Sequence, residues 1–283
     1  MSVQKYLKLN SGYSIPTLGL GTWLLSRSEA PELVFQALKK GYRHIDTAIL
    51  YDNEFEVSEG IAKWLKDDPI NNKREDIFYT SKLWDFRSYE EAKQEIERAL
   101  EAVEDNLGYI DLLLLHSPNV GPNGRRNAWK ALQEVVATGK VKSIGISSWG
   151  IHHIEGLLEW DGLKIKPAVN QIELSPWLMR QEIVEHYKKL GIVLEAYSPL
   201  AHGGRLNDPI VKAIAEKHGK TPAQILLRWS LQQGFVPLPK TSNIERLDNN
   251  LDVYDFELND SEIENLNHPK SHDNTDWECT TNP

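Results

Sequence analysis

Eight short apolar runs, each followed by an amphipathic stretch, predict an α/β fold: a (β/α)8 TIM barrel with an N-terminal β-hairpin. The runs are near-continuous in apolar residues, as parallel strands buried on both faces require. A length of 283 residues suits one barrel. No low-complexity linker or shift in composition marks a boundary, so residues 1–283 read as a single domain. A doubly wound open sheet is the alternative arrangement of the same elements.

In chain order, Tyr6–Leu9 and Tyr13–Ile15, joined at Asn10-Ser11-Gly12, read as a hairpin able to plug the barrel's bottom. The eight strands are expected at 18–22, 43–48, 77–83, 110–116, 141–147, 168–174, 192–198 and 235–239. Pro31 opens a helix whose buried face is Leu33, Val34, Ala37 and Leu38, with Gly41 beyond its end. Ala92, Ile96, Ala99, Leu100, Val103 and Leu107 form one further helical stripe, closed by Gly108. Thr221 with Gln224 is a capping box, Pro222 takes the first helical position, and Gly234 lies past the end.

Composition narrows the function. The net charge is −9, and no Lys/Arg run interleaves with aromatics, which argues against nucleic acid as a partner. The single cysteine, Cys279, cannot form an internal disulfide and suits a reducing compartment. The N-terminal segment lacks a signal-peptide pattern, and no apolar stretch approaches the ~20 residues of a membrane span. A cytoplasmic protein with no membrane or obligate protein partner is expected.

Barrel chemistry gathers at the C-terminal ends of the strands. That rule picks out Asp46, Tyr51, Lys82 and His116, four ionisable groups at one mouth. Singly, each has a plainer reading: a helix cap, a solvated lysine, a satisfied histidine. Together they point to proton transfer. Asp46 beside Lys82 would be an ion pair, and an ammonium near Tyr51 would lower the phenol from its usual ~10.

Residues 44–54, HIDTAILYDNE, carry a resemblance to the aldo-keto reductase family. So do TSKLW (80–84), IDLLLLHSP (110–118), NQIELSPW (170–177), AYSPL (196–200) and PKTSNIERLDNN (239–250). The resemblance implies that Asp46, Tyr51, Lys82 and His116 are the catalytic tetrad of a carbonyl reductase. Tyr51 would protonate the carbonyl oxygen, Lys82 and Asp46 would tune it, and His116 would orient the substrate. It implies a nicotinamide cofactor held without a glycine-rich turn, and no GxGxxG follows any strand here. Thr22, Trp23 and Asp46 would border that cofactor. Ser147, Ser148 and Gln171 would hold its carboxamide, Tyr197 would stack on the ring, and Ser198 and Leu200 would approach the pyrophosphate.

Lys240, Thr241, Ser242 and Arg246 follow the eighth strand. Ser242 with Glu245 reads as a capping box, so a helix N-terminus and two cations would suit the 2′-phosphate of NADPH. Asn249 and Asn250 would face the adenine. Two departures from the family pattern stand out. His116-Ser117-Pro118 replaces His-Trp-Pro and is expected to open space beside His116. Ser147-Ser148 replaces Ser-Asn, which puts the Ser148 contact in doubt. The resemblance also implies a C-terminal tail over the active site, here residues 268–283. Trp23, Trp84, Trp149 and, from that tail, Trp277 are the candidate substrate walls, with core packing as the alternative for each. The loop 201–208 is short. A metal-dependent hydrolase would need ligands starting at strand one, where LGLGT offers none, so no metal is expected. An aldose (xylose-type) reductase is the runner-up, and a non-catalytic binding protein of the same fold the more distant alternative.

Overall fold

The computed structural model describes residues 5–84 and 86–283. The barrel strands are β1 (Leu20–Gly21), β2 (His44–Asp46), β3 (Phe78–Leu83), β4 (Ile110–Leu115), β5 (Val141–Ser147), β6 (Val169–Glu173), β7 (Val193–Tyr197) and β8 (Val236–Pro237). They form one parallel sheet in sequence order. The ring closes where Gly19 N donates to Pro237 O at 3.1 Å and Gly21 N to Pro239 O at 3.1 Å. The approach is tight: a Cβ on Gly21 would lie 3.3 Å from the Leu238 carbonyl oxygen.

Helices follow the strands and bury one face each against them. Ala30–Lys40 begins with Pro31 in its first turn, and Gly41 ends it in the left-handed conformation. The Thr221–Gln224 box forms and starts Pro222–Gln232. Two expected local features differ. The stripe from Ala92 to Leu107 is two helices, Tyr89–Glu101 and Glu104–Leu107, because Val103 leaves helical geometry at φ −126°. The Ser242–Glu245 box does not form. Asn243 Oδ1 instead accepts from Glu245 N at 2.8 Å, a shorter local ring that outcompetes it, and the helix is Glu245–Leu251.

The hairpin strands, Tyr6–Lys8 and Ser14–Pro16, pair antiparallel beneath the barrel. Leu9 and Ile15 pack against Phe78, Leu112, Leu114 and Val169, sealing the N-terminal end. The C-terminal tail crosses the opposite mouth. Glu173 receives Thr275 N at 2.8 Å and Thr275 Oγ1 at 2.6 Å, and Arg180 meets Glu278 at 2.7 Å. Gly150 lets the tail settle, since a Cβ there would fall 1.9 Å from the Thr280 carbonyl oxygen. Among the described residues, no helix is long and apolar enough to cross a membrane.

Candidate active site

A cavity of about 680 Å³ opens at the mouth between strands, loops and tail. Parallel strands in register bring their last residues to it. Asp46 ends β2, Lys82 lies near the end of β3, and His116 follows β4. Tyr51 arrives on the 3-10 turn Ile49–Tyr51.

Lys82 is completely buried and lies 2.7 Å from Asp46 Oδ1, 2.7 Å from the Thr47 carbonyl oxygen and 3.4 Å from the Tyr51 hydroxyl. Burial alone would discharge it, but the Asp46 carboxylate and Tyr51 outweigh that, and its ammonium is held above the usual lysine range. Burial pushes Tyr51 up, and Lys82 offsets only part of the rise. The expected lowering of this phenol is therefore corrected: desolvation exceeds the attraction of the neighbouring ammonium. His116, desolvated and facing Lys82, lies well below the usual histidine range and is neutral. Tyr51 and His116 meet edge to face at 5.7 Å, and Trp23 lies 4.8 Å from Tyr51.

Further along, Ser147 Oγ donates to the Gln171 carbonyl oxygen at 2.9 Å, and both residues line the cavity. Tyr197, Ser198, Leu200, Lys240 and Arg246 line the same cavity. Thr22, Ser148, Thr241, Ser242, Asn249 and Asn250 lie outside the lining. Thr22 is buried and donates to the Asp46 carbonyl oxygen at 2.9 Å. Ser148 is buried in a left-handed conformation. Thr241 and Asn250 are buried, whereas Ser242 and Asn249 face solvent.

Two expected walls are corrected. Trp149 is fully buried away from the cavity, with the Arg125 guanidinium over its ring at 5.7 Å; the left-handed turn at Ser148 immediately precedes it. Ser117 is buried too, and its hydroxyl accepts from Asn119 N, so it opens no space beside His116. That position is walled by Trp277 from the tail, 6.0 Å from His116 and 5.3 Å from Trp84. Leu24, Leu50, Leu206, His202 and Asp276 also line the cavity and were not singled out from the sequence. Exposed loop leucines give no pattern, and an acid in an irregular tail gives none either.

The lining brings a glutamine, a serine, an aromatic ring and two cations into one cavity with the acid–base cluster, a donor set that suits a dinucleotide. A family model described as the aldo/keto reductase family matches residues 17–269. An uncharacterized oxidoreductase of Saccharomyces cerevisiae is 50% identical over 282 residues, covering 99% of this chain and 100% of that one. Glyoxal reductase of Bacillus subtilis is 39% identical over 267 residues, covering 94% and 92%. An NAD(P)H-dependent D-xylose reductase of Candida tropicalis is 38% identical, covering 92% and 90%. A solved aldo-keto reductase of Bombyx mori in complex with NADP superposes with a TM-score of 0.84 at 32% identity, covering 94% and 92%. Sequence match, superposition and the grouping of Asp46, Tyr51, Lys82 and His116 at the barrel mouth agree: the chain belongs to the aldo/keto reductase family of oxidoreductases.

Proposed function

We propose that the protein is an NADPH-dependent reductase of aldehydes and ketones, with Tyr51 as general acid. The observation that carries this reading is the convergence of Lys82 on Asp46 and Tyr51, at 2.7 and 3.4 Å, against a cavity that Lys240 and Arg246 also line. Bound NADPH supplies the hydride. Gln171 and Ser147 would hold its nicotinamide end, Tyr197 its ring, and Lys240 with Arg246 its 2′-phosphate. Tyr51 gives its proton to the carbonyl oxygen, and the Lys82 ammonium stabilises the phenolate left behind. Neutral His116 offers a hydrogen-bonding nitrogen to the same oxygen. The NADP-bound Bombyx mori structure supports the cofactor class, and the NAD(P)H-dependent Candida tropicalis relative makes the preference a point to measure. The enzyme would work in the cytoplasm on small molecules, without an obligate partner.

The substrate end is walled by Trp23, Trp84 and Trp277, with Leu24 and Leu50 at the rim. Activated carbonyls fit such walls: dicarbonyls, α-keto esters and aromatic aldehydes. Free sugars are mostly cyclic in water, and their hydroxyls need several placed polar partners. Asp276 adds a carboxylate at the rim that disfavours anionic substrates. A panel of carbonyls followed by NADPH absorbance, with NADH in parallel, tests the reading. Aromatic aldehydes and dicarbonyls should exceed D-xylose in kcat/KM. Xylose equal to or above the best aromatic aldehyde would favour the aldose reductase instead.

A further inference from the structure

Glu195 lies in the middle of β7, opposite Gln171 of β6 in the sheet register. It is completely buried and stands outside the cavity lining. A carboxyl group so deep in a barrel is costly unless its hydrogen-bonding capacity is used. Gln171 uses it. The Gln171 Nε2 donates to Asp46 Oδ2 at 2.9 Å and to Glu195 Oε2 at 2.9 Å. Only the NH2 end of an amide has two hydrogens to give. With its ends exchanged, Gln171 would set a carbonyl oxygen against the Asp46 carboxylate oxygen, which can only accept. The partners therefore fix which end of the amide faces inward. The remaining polar atom, Oε1, is left for the cavity that Gln171 lines. Asp46 alone would leave the amide free to swing about its terminal torsions. Two acceptors converging from β2 and β7 do not.

We propose that Glu195 is a positioning residue: together with Asp46 it locks the Gln171 side chain with its oxygen toward the cavity, presenting an acceptor to the NH2 of a nicotinamide carboxamide. This inference rests on the reading of Gln171 as a cofactor contact. The charged and titratable groups around Glu195 are few. His44 of β2 brings its Nε2 to 3.4 Å from Glu195 Oε1, and burial holds that imidazole down to about 3, so it is neutral. Lys82 of β3 is already committed to Asp46. Burial and the Asp46 charge push Glu195 up to about 8. At neutral pH it is thus an acid whose one oxygen accepts from Gln171 while its hydroxyl faces His44. A glutamine at 195 reproduces that arrangement, oxygen for oxygen and NH2 for hydroxyl.

The test is NADPH binding, read as quenching of tryptophan fluorescence, alongside melting temperature. The variants are Glu195→Leu, Glu195→Gln, Gln171→Leu and the Glu195→Leu/Gln171→Leu pair. Gln171→Leu and Glu195→Leu should each raise the Kd about tenfold, the scale of one lost neutral hydrogen bond to the carboxamide. The double variant should add nothing to either, because both act through one amide. Glu195→Gln should bring the Kd back to within about threefold of the parent. Glu195→Leu should not melt earlier, since a leucine carries no desolvation cost at that depth. If the leucine variant does not fold, Glu195→Asp, one methylene short of Gln171, should lose affinity where Glu195→Gln keeps it. A Glu195→Leu protein that binds NADPH like the parent while Gln171→Leu does not would overturn the inference. So would losses that multiply in the double variant, or equal Kd values for the Asp and Gln variants. An unchanged Kd in Gln171→Leu would instead remove the cofactor reading of Gln171, and this inference with it.

Discussion

Replacing Lys82 by methionine separates its two expected roles. The ammonium is completely buried, the Asp46 side chain is 5% exposed, and the two meet at 2.7 Å. Methionine fills similar space but leaves Asp46 with Gln171 as its remaining side-chain donor. Removing one partner of a buried pair costs about 3–5 kcal/mol, because a carboxylate stays desolvated and unneutralised. A chain of this length loses about 0.6 kcal/mol/K of entropy-weighted stability at its midpoint, so the melting temperature should fall by about 5–8 °C. The sign of the pH effect follows. An orphaned buried carboxylate binds its proton more tightly than in the unfolded chain, so the destabilisation is full at neutral pH and fades as acid protonates it. Calorimetry from pH 4 to 8 should therefore show the gap between variant and parent closing toward pH 4. Adding Asp46→Asn should recover much of the loss, since two neutral groups replace a lone charge. Turnover should drop by at least the 10²–10⁴ typical of a lost general-acid device, and the second change should not restore it. A melting temperature within 1–2 °C of the parent at about pH 7, or a gap independent of pH, would refute the buried-pair account.

Three further outcomes are expected. Tyr51→Phe should lower kcat by about 10²–10⁴ while leaving the NADPH Kd nearly unchanged, and a variant retaining more than about a tenth of parental turnover on an aldehyde would exclude Tyr51 as the acid. Arg246→Ala should raise the Kd for NADPH about tenfold and barely touch NADH, with the difference shrinking as salt rises; equal weakening of both would move Arg246 to a shared part of the dinucleotide. Glu54, buried and hydrogen-bonded to Ser81, is pushed up to about 7 by burial. Its contribution is full below the ordinary glutamate range and lost as pH rises through 7, on the order of 3 kcal/mol. The parent should melt progressively earlier between pH 5 and 8, and Glu54→Gln should flatten that slope.

The barrel was legible because its strands are apolar runs that no exposed loop would carry, and because Pro31, Gly41 and the Thr221–Gln224 box punctuate helices locally. Boundaries were less so. β1 and β8 are two residues each, since pairing at the seam is set by neighbours rather than by apolar pattern. The Ala92–Leu107 stripe kept helical spacing across a break at Val103 that spacing cannot register. At the site, Asp46, Lys82 and His116 were visible as polar residues closing apolar strands. Trp149 and Trp277 were not separable on sequence. Which indole reaches the cavity depends on the backbone at Ser148 and on a tail anchored through Glu173 and Arg180, both long-range facts. Glu195 did leave a signal, an acid inside the run IVLEAYS, where a buried strand offers no solvent to charge.

The upward shift of Tyr51 looks at first like an obstacle to an acid, yet it fits the proposed mechanism. A phenol destabilised as an anion stays protonated at rest, so the proton is present when a carbonyl arrives. His116 is neutral and Lys82 is held by Asp46 and the Thr47 carbonyl at 2.7 Å each, so neither competes to deliver it. The 3.4 Å contact from Lys82 to the Tyr51 oxygen is long for a hydrogen bond and weak while that oxygen is neutral. It strengthens as the proton leaves and negative charge collects there, beside an ammonium that is itself completely buried. The interaction is thus small in the ground state and large in the transition state, the only kind that raises turnover. Moving that ammonium away, or solvating it, should therefore lower kcat far more than it changes KM.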